Sequence, residues 1–213
     1  MKLYHGSKSV VANPINKGSK DDNDYGPAFY MTKDLESAHE WACKNNTVGI
    51  VNEYKLDTRG LKILDLTSKE KYTVLNWLAV LLHYRGSESS LAKAFAMRLD
   101  FIEKHYFIDV NDYDLVIGYR ADDAYFRFPA DFIRGNLTLE QLEYSFNLGE
   151  LGIQYVITSQ KGIDHLSFVK SFPSEDKYIN QYFNTVTRAT LAFDALNKDE
   201  EGIRIIDLMR NKK

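Results

Sequence analysis

Short apolar runs separated by polar loops dominate the first part of the chain, and their spacing predicts strands before helices. Lys2 to His5 reads as a short strand ending in "HGS", and "AFYMT" near residue 30 reads as a second. "GIVNEYKLD" alternates apolar and polar residues around Ile50, Asn52 and Tyr54, as a half-buried strand does. "LKILDL", "YDLVIGYR" and "GIQYVITS" are also strand-like, the last as a buried strand. Helices are predicted between them. Thr32 is placed as an N-cap, with Asp34 and Glu36 in the first turn of a helix to about Lys44. Thr67 and Glu70 have capping-box spacing before a helix carrying Val74, Trp77, Leu78, Leu81 and Leu82. A further helix is expected from Ser89 to about His105. "ADDAYFRFPADFIRG" reads as a turn or a helical segment broken near Pro129, and Thr138 with Gln141 as another capping box. Beyond Ser174 the pattern predicts a helix to Leu196 and a shorter one to about Met209. Strands and helices of irregular length point to an α+β fold rather than repeated βαβ units. The expected organisation is a domain over residues 1–173 with a helical insertion at about 67–110. A C-terminal helical extension, 174–213, is expected to pack on it.

Composition narrows the function classes. A chain of 213 residues with 44% hydrophobic content suits one globular domain, or one domain with an appendage. A net charge of -3 provides no broad basic field for holding a duplex, although a local basic groove stays open. The single cysteine, Cys43, makes no intrachain disulfide and belongs to no spaced metal cluster. No signal-peptide pattern starts the chain, and the apolar stretch from Trp77 to Leu82 is too short to span a bilayer. The economical expectation is a soluble, cytoplasmic protein without membrane contact. Neither dinucleotide-fold nor P-loop glycine motifs are present, and the G-x-S-x-G elbow is missing. The histidines at 5, 39, 83, 105 and 165 lack the i, i+4 histidine partner of a helical zinc site, so no metal is expected. His39 is read as partly solvated, His83 and His105 as residues of helix ends, and Trp41 as packing.

"LYHGSKSVVANPI", a polar loop and "YGPAFYMTKDLESAHEWA" occur in that order, followed later by "QYVI". This series resembles the ADP-ribosyltransferase superfamily, in the branch shared by poly(ADP-ribose) polymerases and diphtheria toxin. Its layout is most similar to a bacterial group of uncharacterised domains within that superfamily. The resemblance covers about residues 1–60 and 113–170. It implies a split β-sandwich of two small sheets packed face to face, with a cleft bordered by His5, Tyr30 and Gln154. It also implies NAD as substrate and a macromolecular acceptor, protein or nucleic acid. A toxin or defence role, and an antitoxin or regulatory partner, come with the resemblance alone. By similarity, His5 would hydrogen-bond a ribose hydroxyl and Gly6 would meet the nicotinamide amide through its backbone. Ser7 would add a hydroxyl, and Tyr30 a face for the ring. The loop from Asn16 to Pro27 is expected to be mobile and to close over the cofactor.

Position 154 departs from the pattern, which has a glutamate there. Gln154 keeps an acceptor oxygen and lacks the negative charge that favours a cationic sugar. Glu150, Asp122 and Asp123 are the candidates for an additional acidic group. Gly152 stands where arginine-modifying members carry an acidic or amide residue, which argues against arginine as acceptor. Three readings stay open: a mono-ADP-ribosyltransferase, a catalytically weak or inactive NAD- or ADP-ribose-binding or protein-interaction module, and an unrelated α+β interaction protein.

Overall fold

A computed structural model describes residues 1–44, 46–85, 90–121, 126–145, 152–196 and 201–211. Among these residues seven strands form one mixed sheet: β1 (Lys2–Ser7), β2 (Phe29–Thr32), β3 (Ile50–Leu56), β4 (Ile63–Asp65), β5 (Leu115–Tyr119), β6 (Ile153–Ile157) and β7 (Leu166–Pro173). Their order is β4-β5-β6-β2-β1-β3-β7, with β4 and β5 parallel and every other pair antiparallel. The α+β class holds. The expectation of two separate sheets is corrected to one sheet with a narrow seam. β1 follows β3 from Lys2–Lys55 to Ser7–Ile50, and β2 follows β6 from Phe29–Ile157 to Thr32–Gln154. Between β1 and β2 the register has a single pair, Tyr4–Thr32. Beyond that pair the Tyr30 carbonyl accepts from the His5 ring, 2.7 Å away.

Helix α1 (Leu35–Cys43) packs on β1 and β3 around Tyr4, Ala38, Ala42 and Val51. Gly6 permits this close approach: a Cβ there would fall on the carbonyl oxygen of Ala38 and on the backbone of Ala42. The N-cap is Asp34, whose carboxylate accepts from Ser37 N at 2.8 Å. Thr32, expected in that role, ends β2 instead and accepts from Asp34 N at 3.1 Å.

The β4-β5-β6 half is covered by α2 (Val74–Arg85), α3 (Ser90–Tyr106), α4 (Arg127–Arg134) and α5 (Leu139–Ser145). Helix α2 is buried at eight of the nine positions from Val74 to Leu82, all but Asn76, so its sequence is apolar nearly all round. It begins at Val74 because Asp65 accepts from both Thr67 N and Thr67 Oγ1, turning the chain there, while Asn76 caps Thr73 N at 2.9 Å. Pro129 does not break α4. It sits in the first turn, where a backbone N–H has no intrahelical acceptor. The Thr138–Gln141 capping box forms reciprocally, at 3.0 and 3.1 Å.

The sequence pattern left α6 (Gln160–Asp164) and β7 unassigned. Helix α7 (Lys177–Asp194) leans on α1, where Tyr178 stacks on His39 at 4.4 Å and donates to Glu36 at 2.9 Å. Helix α8 (Ile205–Asn211) buries Ile205 in the large core. His39 is therefore buried rather than partly solvated, with Ser174 Oγ 2.9 Å from its Nδ1. Leu3, Phe29, Met31, Tyr54, Leu115 and Ile157 form a second core on the opposite face, shared by both halves of the sheet. No described helix is long and apolar enough to cross a membrane.

Candidate functional site

Strand alternation divides the "HGS" triplet. Successive side chains of a strand point to opposite faces. His5 and Ser7 lie on the Leu3 face, where the His5 ring meets Phe29 with centroids 4.6 Å apart. Ser7 is engaged locally: its hydroxyl donates to Ser9 O at 2.6 Å and accepts from buried Asn52 at 2.9 Å. Gly6 lies on the α1 face. The Tyr4–Thr32 and Thr32–Gln154 pairs put Thr32, Gln154 and, two residues back along β2, Tyr30 on that same face. The structure thus brings His5 to the main chain of Tyr30, and does not place all three expected side chains on one face.

The His5 hydrogen bond fixes a tautomer, because a carbonyl can only accept. Nδ1 carries the proton and Nε2 is left as an acceptor. Burial holds the His5 pKa below the usual histidine value, opposed by that hydrogen bond. The Tyr30 ring secures a turn, its hydroxyl donating to Gly26 O at 2.6 Å and accepting from Tyr25 N at 3.1 Å. Burial raises the Tyr30 pKa.

The loop expected as a mobile lid is pinned over its last part. Tyr25 is 1% exposed and donates to Tyr119 O at 2.7 Å, filling the space that Gly118 leaves open. Gly26 takes a positive φ of 74°, which glycine tolerates without strain. Asp24, in the same stretch, is buried among donors. Its Oδ1 is 2.9 Å from Arg85 Nη1, and its Oδ2 accepts from Ala121 N at 2.8 Å. Burial raises its pKa, against the pull of the Ala121 N–H and of Arg85.

Gln154 joins this group from β6. Its Nε2 donates to Asp24 Oδ2 at 3.4 Å, and its Oε1 is buried without a hydrogen-bond partner among the described residues. The amide cannot turn round without setting its oxygen against the carboxylate, so Asp24 fixes which end stays free. Trp41 lies beside Gly6: its Cβ is 2.9 Å from where a Gly6 Cβ would be. Its Nε1 is likewise buried with no partner among the described residues, and the Arg120 guanidinium lies 4.9 Å from its ring centroid. The α1 face of the seam therefore holds an orphan acceptor, an orphan donor and an aromatic wall. Unmet polar groups in buried positions are costly unless something else satisfies them.

Asp122, Asp123 and Glu150 lie outside the described residues. Gly152 has a φ of 72°, a backbone reason for its missing side chain. Asp24, Arg85 and Trp41 were missed as site residues by the sequence reading. Asp24 sits in a run, "KDDNDYGP", that looks like an ordinary turn, and the signal was a single acidic residue beside an aromatic that proves to be core.

Residues 1–168 match the family described as "Protein of unknown function (DUF3990)", and the chain belongs to that family. Searches of curated proteins and of solved structures find no match.

Proposed function

We propose that the protein is an ADP-ribosyltransferase-like enzyme that takes NAD as substrate at the β1–β2 seam and passes ADP-ribose to a macromolecular acceptor. The observation that carries this reading is Gln154 Oε1, a buried acceptor with no partner among the described residues, on the same face as Gly6 and Trp41. It adds to the order of His-Gly, Phe-Tyr-x-Thr and Gln-Tyr-Val-Ile along the chain.

In the proposed reaction the bond between C1′ of the nicotinamide ribose and the ring nitrogen breaks heterolytically. The electron pair leaves with nicotinamide, which departs neutral, and positive charge develops on the sugar. A nucleophile on the acceptor, or water, then bonds to C1′ and releases its proton to solvent. Catalysis of such a step needs fixed orientation and negative potential near C1′ rather than a general acid. In this pose a ligand at the β1–β2 seam meets the acceptor nitrogen of His5 from one side. From the α1 side, where the helix covers Gly6, it meets Gln154 Oε1 and the Trp41 ring, on which a planar heterocycle stacks well.

A second reading, a catalytically weak or inactive NAD- or ADP-ribose-binding module, is favoured by the uncharged residue at 154. A thermal-shift titration with NAD tests binding, and transfer of label from NAD together with nicotinamide release tests turnover. Binding with turnover supports the enzyme. Binding without turnover supports the module. No binding removes both and leaves an α+β interaction protein.

A further inference from the structure

Resting on the NAD reading above, we propose that Asp24 is a positioning residue that supplies the negative charge position 154 lacks, acting on the sugar through the Gln154 amide. Three observations carry the assignment. Asp24 is 7% exposed, so its charge is little screened by water. Its carboxylate is held from two sides, by Arg85 Nη1 at 2.9 Å and by Ala121 N at 2.8 Å, so it has one position. Its Oδ2 is the hydrogen-bond partner of Gln154 Nε2, leaving Gln154 Oε1 as the free and buried end.

A carboxylate accepting from the amide N–H polarises the amide and makes its oxygen more negative. The amide thus faces the ligand with an acceptor whose lone pairs are strengthened by a fixed charge behind it. As the C1′–N bond breaks and the pair leaves with nicotinamide, the positive charge on the ribose is opposed by that oxygen. Asp24 itself neither gains nor loses a proton, and no bond to it forms. The chain reaches by two residues, one for contact and one for charge, what a glutamate would supply alone. Burial pushes the Asp24 pKa up, so its charge depends on Arg85 at 2.9 Å and on the field of Arg120, without which the buried carboxylate would take up a proton.

The test is a charge transfer between the two positions, read as nicotinamide release at saturating NAD with water as nucleophile. Asp24→Asn keeps the shape and an acceptor oxygen and removes the charge; kcat should fall at least tenfold while KM changes less than threefold. Gln154→Glu in the Asp24→Asn background puts the charge at 154 and should recover at least half of that loss on a logarithmic scale. Gln154→Glu with Asp24 intact sets two carboxylates side by side and should lower the rate or leave it unchanged. A tenfold gain from Gln154→Glu alone would show that position 154 was short of charge, and would overturn the role of Asp24. Wild-type turnover in Asp24→Asn would overturn it too. If Asp24→Asn does not fold, the single Gln154→Glu variant decides by itself. Failure of the wild type to bind NAD in the thermal-shift titration removes the enzyme reading, and this proposal falls with it. NAD turnover with an inert Asp24 removes this proposal alone.

Discussion

The two tryptophans mark the two kinds of region in this molecule. Trp77, on α2, is 1% exposed, and its indole N–H donates to Tyr119 O at 2.9 Å, so the largest side chain of the helix-covered half is enclosed and satisfied. Trp41, on α1, is only partly buried, and its indole N–H has no partner among the described residues. Trp77 belongs to the large core that also holds Leu78, Leu81, Phe128 and Phe132, all fully buried and apolar. Beside Trp41 lie a glycine and an arginine. One region has its polar atoms paired off inside a hydrophobic core, and the other leaves them open along a seam. The first is arranged for stability and the second at some cost to it, which is where function is to be sought.

The sharpest way to break that contrast is to truncate both tryptophans. Trp77→Ala should destabilise the protein by about 3–5 kcal/mol, the usual cost of emptying a large aromatic site in a core. Trp41→Ala should cost less than about 2 kcal/mol, since its side chain is partly open, and should instead abolish the NAD-induced thermal shift. Urea denaturation and an NAD titration on both variants read the two effects. Equal losses of stability with unaltered NAD response would erase the distinction between the regions.

Gly6→Ala probes the seam from its packing side. The new methyl would run into the backbone of α1, so the helix must move away from β1, at about 1–3 kcal/mol. Because α1 carries Trp41, the shift should also weaken NAD binding. An alanine variant of full stability would mean that α1 does not rest on β1 at this point.

The comparison also accounts for what was legible in the sequence. β2, β3, β5 and β6 have strong apolar signatures, and the Thr138–Gln141 box has a local geometry that no distant contact overrides. The start of α2 was misplaced because Thr67 has a nearer partner in Asp65, and a capping pattern cannot reveal a competing turn. β7 escaped because it is an edge strand with no fully buried residue, so little apolar periodicity marks it. At the site, His5, Tyr30 and Gln154 were found by their order along the chain. Order does not encode faces: adjacent residues of one strand cannot share a face, so His5 and Gly6 were bound to separate. Asp24 and Arg85 are 61 residues apart, and their pairing depends on how the loop before β2 meets the end of α2.

Gln154→Ala acts within the seam and should leave the Trp77 side untouched. It removes one acceptor and releases Asp24 from the amide, so NAD affinity should fall by about 0.5–1.5 kcal/mol, the net worth of one hydrogen bond. Isothermal titration at fixed salt measures this. Unchanged affinity would mean that the free oxygen of Gln154 does not meet the ligand.

The smallest effect expected is a pH dependence at His5. Its folded-state pKa is lowered from 6.5 by burial, so the native ring is neutral where the unfolded one is already taking up a proton. Between these two pKa values the unfolded state binds more protons, and stability therefore rises with pH across the window. In the other direction, acidification from pH 6.5 towards the folded value removes stability, because protonation is resisted only in the native state. His39 has its pKa lowered by burial as well, so the wild-type slope contains both rings. His5→Asn keeps an N–H donor for the Tyr30 carbonyl and cannot titrate, so its stability should decline less steeply between pH 7 and pH 5. Urea midpoints at half-unit steps across that range measure the slope. A variant with the wild-type slope would mean that the His5 ring is as open to water in the folded protein as in the unfolded chain. The seam would then be closed by the Tyr4–Thr32 pair alone, with the ring playing no part in holding β1 to β2.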